Sequence, residues 1–194
     1  MNPFRTFKKI LETHFYKNSI KELEYLWNKK DRYYHNTDHL IQIIKDIEND
    51  ISFKLLDVYE KHILLLAAFT HDAIYDPKKK DNENQSIYFF KCAFKTNDTK
   101  ILKKVCDLIE VTKYRKRPTE KLERIFWNAD NAKFKDGYKT LLNNEMKLRK
   151  EFSFLSSTEY KEKRIEFLKS NFGLFNSSVD KDIQKLIDYI ENKY

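Results

Sequence analysis

The sequence predicts an all-α protein, a single helical bundle of about nine to ten helices over residues 1–194. Three observations carry this. Only two Gly and three Pro occur in 194 residues, too few for the tight turns of a sheet. Long segments carry apolar residues at helical spacing. No Pro-, Gly- or Ser-rich stretch marks a linker, and the length suits one domain with a sizeable core.

Taken in order, Phe4 to Tyr16 reads as the first helix, and Ser19 with Glu22 forms a capping box for the second, ending near Asn28. Asn36 or Thr37 caps the third, HLIQIIKDIEND, which carries His39 in its first turns. Leu55 to Asp72 is the fourth; its second half is apolar almost all round, as expected of a helix wrapped by others. After Pro77 and a lysine run, Asp81 or Asn82 starts the fifth, through Phe94. Asn97 or Asp98 caps the sixth, to about Lys113, and Pro118 opens the seventh, which reaches Asp130. Asp136 or Gly137 precedes the eighth, Ser156 with Glu159 boxes the ninth, and Ser177 or Ser178 starts the last after Gly173.

His71 and Asp72 close the apolar stretch HILLLAAFTHDAIYD. An imidazole beside a carboxylate at the end of an apolar segment is costly to bury unless a cation sits between them. Further ligands of the same type stand at His35 and His39 in RYYHNTDHL and at Asp130 in WNADNAKF. A donor set of imidazole and carboxylate without thiolate suits one divalent ion among Mn, Co, Ni, Mg, Fe and Zn. The expected ligands are His39, His71, Asp72 and Asp130, with His35 set behind them or against a substrate. His62 lies two and a half turns before His71 and points to the opposite face, so it reads, like His14, as a half-buried or surface histidine.

The net charge of +8 invites a nucleic-acid reading, but seven of the 38 basic residues are Arg and the Lys are scattered. A solvated lysine surface is favoured over a nucleic-acid partner. Cys92 and Cys106, each within an apolar-periodic segment, read as buried reduced thiols of a cytoplasmic protein. The apolar run Ile63 to Phe69 is too short to span a bilayer, and no membrane partner is expected.

The order His39, His71-Asp72, Asp130 resembles the HD-domain superfamily of metal-dependent phosphohydrolases. It is most similar to the branch of small predicted HD phosphohydrolases with YHN-x-x-H, FHD-x-x-YDP and DNE-x-S. These stand here as YHNTDH (34–39), FTHDAIYDP (69–77) and DNENQS (81–86). The likeness continues through Asn128 to Asp130, the LRKEF around Arg149 and Glu151, and Arg164. Two departures stand out: Arg115 lies about where the branch has a histidine after Thr112, and Asn128 replaces the first acid of Asp-Ala-Asp. With no histidine after His71, a single metal is the better reading than a dinuclear site.

The resemblance implies hydrolysis of a small phosphorylated substrate, a nucleotide or other phosphate ester, by metal-bound water. Asp72, Asp76, Glu83 and His35 are the catalytic candidates, and Arg32, Lys113 and Arg115 the candidates for holding phosphate. The rivals are a non-catalytic basic helical module that binds RNA or protein around a structural metal, and an HD-fold oxygenase.

Overall fold

The computed structural model describes residues 2–113 and 116–194. It contains eleven α-helices and two 3-10 helices, with no strand among the described residues beyond an isolated Phe15–Phe94 bridge. The all-α class read from the sequence is the class observed. Among the described residues, contacts cluster in two compact units, the first covering 2–113 and Pro118–Asp130, the second 116–117 and Asn131–Tyr194.

The first unit holds α1 (Pro3–Thr6), α2 (Lys8–His14), α3 (Lys17–Trp27), α4 (Thr37–Asn49), α5 (Val58–Thr70), α6 (Asn82–Ala93), α7 (Thr99–Val111) and α8 (Lys121–Asp130). Every residue from Ile63 to Thr70 of α5 is buried, because α4, α6, α7 and α8 all pack on it. An unbroken apolar run has no face suited to water, so such a helix is stable only when enclosed. Asp57 and Glu60 start it with a reciprocal capping box.

Several expected boundaries move, each for a traceable reason. The first expected helix divides at Phe7, where Phe4 and Phe7 both lie edge-on against Phe69, with ring centroids 5.1 and 6.1 Å away. α3 starts at Lys17 rather than at a Ser19 cap, because the preceding backbone pairs with the end of α6: Tyr16 N–H donates to Ala93 O and Lys95 N–H to His14 O. α5 is shorter than expected because Ile51–Leu55 forms a separate 3-10 helix. α8 starts at Lys121 rather than Pro118, since the Glu120 carboxylate accepts from the N–H groups of Leu122 and Glu123. Both cysteines are free, but neither is fully buried as expected: Cys92 is exposed and Cys106 half-buried. No helix among the described residues is long and apolar enough to cross a membrane.

The second unit holds a 3-10 helix (Ala132–Lys135), α9 (Tyr138–Glu151), α10 (Ser157–Lys169) and α11 (Ser177–Lys193). Its core joins Leu141 and Leu168 to Val179, Ile183, Leu186, Ile187 and Ile190, one stripe of α11. The expected Ser156–Glu159 capping box is present, and α11 starts at Ser177 as expected, capped by Asn176. Glu145 is fully buried, and Tyr160 Oη and Arg164 Nε donate to its two oxygens at 2.6 and 2.7 Å. A buried carboxylate with both oxygens paired is stable where an unpaired one would not be.

His14 and His62, read separately as unremarkable, meet across α2 and α5 with Nε2 and Nδ1 3.0 Å apart. Burial lowers both pKa values below 6.5. At His14 the neighbouring His62 and Lys95 add to the lowering and Asp98 opposes it. The sign of the stability effect follows. Above pH 6.5 both rings are neutral, folded or unfolded; below it the unfolded chain takes up protons first, so stability is lost as pH falls toward the lowered folded values. Urea midpoints at about pH 7.5 and about pH 5.5 should therefore differ more in the wild type than in His14→Gln. An equal difference in the two proteins would rule out this contribution.

Candidate metal centre

The site is built where α5 ends. A helix leaves its last carbonyls without partners inside the helix, and at a buried end water cannot supply donors. The backbone of the following turn and nearby side chains supply them here. His71 N–H donates to Ala67 O, the His71 ring Nδ1–H to Ala68 O at 3.0 Å, and Trp27 Nε1–H to Phe69 O at 2.8 Å. Ala73 N–H donates to Thr70 O, and Arg32 donates from Nη1 to Asp72 O and from Nη2 to Ala73 O, both at 2.8 Å.

The turn that follows is fastened by α6. Ser86 Oγ accepts from Ile74 N–H and donates to Ile74 O; the Asn82 amide brackets the backbone N–H and C=O of Asp76. Two residues of the DNENQS motif thus hold the HDAIYDP segment in place. The YHN motif divides its work similarly. Tyr34 lies against His39, His35 stacks on Tyr75 with ring centroids 3.9 Å apart, and Asn36 caps α4 by accepting from the N–H groups of Asp38 and His39.

That cap places His39 in the first turn of α4, with its side chain only 5% exposed. Three helix ends then meet. His39 Nε2 lies 3.9 Å from Asp72 Oδ2 and 3.7 Å from Asp130 Oδ1, and His71 Nε2 lies 3.2 and 3.9 Å from the same oxygens. One ligand atom from each of His39, His71 and Asp72 falls within 4.8 Å of the others. Asp130, the last residue of α8, completes the ring of four expected residues.

The arrangement fits a cation. Because Nδ1 of His71 donates to Ala68 O, the lone pair of the neutral ring is on Nε2, the atom facing the carboxylates. That Nε2 is buried and has no hydrogen bond of acceptable geometry. A lone pair turned toward carboxylate oxygens is repulsive unless a proton or a metal ion lies between them. Burial disfavours the charged ring, but the Asp72 carboxylate 3.2 Å away, Asp130 and the bond to Ala68 O outweigh burial and push His71 up to about 9. Burial also opposes the Asp72 charge, yet His71, His35 and His39 hold its carboxyl well below the usual range. Either a proton or a divalent ion satisfies this charge pattern, and the nitrogen and oxygen donors suit the hard to borderline divalent metals.

The remaining expected site residues are dispersed. Arg32 is buried and turned to main-chain carbonyls, and its guanidinium lies 5.8 Å from the ring centres of both Trp27 and Tyr75. Lys113 Nζ donates to Asn84 Oδ1 and Glu110 Oε1, beside the first turn of α6. Asp76 accepts from Lys78 N–H within the loop, and Glu83 is half-buried in the first turn of α6. Arg115 lies outside the described residues. Trp27, Asn82 and Ser86 were not singled out from the sequence; only the DNENQS motif hinted at the latter two.

The protein is thus an all-α bundle with a His/His/Asp cluster able to coordinate a metal ion. The chain matches no protein-family model, no curated protein and no solved structure.

Two outcomes follow from this geometry. Titrating Mn²⁺ into metal-free protein should raise its stability, by about 2.7 kcal/mol at a hundred times the dissociation constant. His71→Ala should remove the rise, and an unchanged rise would exclude the site. Trp27→Phe leaves the buried Phe69 carbonyl without its donor and should cost about 1–3 kcal/mol in urea unfolding. A loss well under that range would mean the bond contributes little.

Proposed function

We propose that this chain is a metal-dependent phosphohydrolase acting on a nucleotide or another small phosphate ester. The observation that carries the reading is the convergence of His39, His71, Asp72 and Asp130 from three helix ends onto one point. The order of these residues also resembles the HD superfamily, whose chemistry is phosphate-ester hydrolysis.

The four residues would hold one divalent ion. Once bound, such an ion polarises a phosphoryl oxygen and lowers the pKa of water toward neutrality. The chain's own residues do the rest. Hydrolysis needs a group to take a proton from the attacking water and one to protonate the leaving oxygen as the P–O bond breaks. His35 and Glu83 are the proposed proton carriers. His35 is close enough to the centre to help keep Asp72 ionised, and its stack on Tyr75 fixes its plane. Asp76 is the weaker candidate because its carboxylate closes the turn at Lys78. Lys113 and Arg115 are the proposed phosphate contacts. A cytoplasmic setting belongs to the proposal and is supported by the two free thiols.

The test is a hydrolysis screen of nucleotides and phosphodiesters with Mn, Co, Ni, Mg and Fe, with His71→Ala and Asp72→Ala in parallel. Release that depends on added metal and falls to background in both variants is expected. Metal binding without turnover on any substrate would instead favour a structural ion in a basic helical module.

A further inference from the structure

Arg32 stands between the two ligand-bearing segments. Its side chain holds the carbonyls of Asp72 and Ala73 in the turn just after α5, each at 2.8 Å, with a longer contact to His35 O at 3.5 Å. Its own carbonyl accepts from Asn36 Nδ2, and Asn36 is the residue that caps α4 and orients His39. One residue therefore ties the start of α4 to the end of α5. The residue is 5% exposed, with Trp27 and Tyr75 lying beside its guanidinium. The planar fork of Arg donates in two parallel directions, which suits two successive carbonyls; the single ammonium of Lys reproduces the charge without that geometry.

We infer that Arg32 is a positioning residue of the metal centre, which sets the grip of His71 and Asp72 on a divalent ion by fixing the backbone that carries them. The inference rests on reading the cluster as a metal site. It moves Arg32 away from a direct phosphate contact. Groups that orient metal ligands from behind influence affinity even though they never touch the ion.

The experiment uses the full chain as wild type, Arg32→Met and Arg32→Lys. Each is checked for folding by circular dichroism and urea unfolding, then titrated with Mn²⁺ under conditions where it is fully folded. Arg32→Met should bind Mn²⁺ roughly ten-fold or more weakly than wild type, with Arg32→Lys between them. If Arg32→Met does not fold, Arg32→Lys alone should show the weakening. Lower stability with unchanged Mn²⁺ affinity in the folded variant would make Arg32 merely structural and overturn the inference. Hydrogen exchange over residues 70–76 supplies a readout independent of the ion. Faster exchange in the variants, without global loss of protection, is expected, and wild-type exchange in both would overturn the positioning role. Should wild-type protein bind no Mn²⁺ while exchange responds as expected, the metal reading fails and the backbone role stands.

Discussion

The closure of α5 is the constraint on which the rest of the site depends. A helix apolar enough to be enclosed must also end inside the protein, and its final carbonyls then need donors that water cannot provide. Those donors are His71 itself and Trp27 at the end of α3, and Arg32 in the loop before α4 holds the carbonyls of the turn that follows. Satisfying the helix end thereby selects the tautomer of His71 and brings α3, the loop before α4 and the His-Asp turn to one place. The lone pair of His71 and the carboxylate of Asp72 face the same space while bonds to the carbonyls of Ala68, Phe69, Asp72 and Ala73 hold the backbone beneath them.

Charge then shapes the site's chemistry. Two imidazoles and two carboxylates at separations of 3.2 to 3.9 Å are a costly group to hold at a largely buried point without a cation. A proton shared toward His71 relieves part of this, and a divalent ion would relieve more, since it could engage several of these donors together. The aromatic surroundings strengthen both effects. Trp27 and Phe126 flank His71, and Tyr34 covers His39, so little solvent is available to screen the interaction.

Much of this was legible in the sequence because it is local or compositional. The scarcity of Gly and Pro, the Asn36 cap and the Ser156–Glu159 box each act within a few residues, and they are found as read. The four proposed ligands were legible as residue types at the ends of apolar segments. What was not legible arises from partners far apart in the chain. The start of α3 moved because residues 14–16 pair with 93–95, and the fastening of the His-Asp turn joins positions separated by about forty residues. Arg32 shows the difference well. As a residue type beside a candidate site it reads as a phosphate clamp, and only the fold shows that its donors are turned to carbonyls.

The central claim is that His39, His71, Asp72 and Asp130 together hold one divalent ion. The measurement that tests it most directly is anomalous X-ray diffraction from crystals of this protein grown with Mn²⁺. The account predicts a single anomalous peak enclosed by both His Nε2 atoms and a carboxylate oxygen from each aspartate. A peak elsewhere, two peaks at the site, or ordered water with full metal in solution would contradict it.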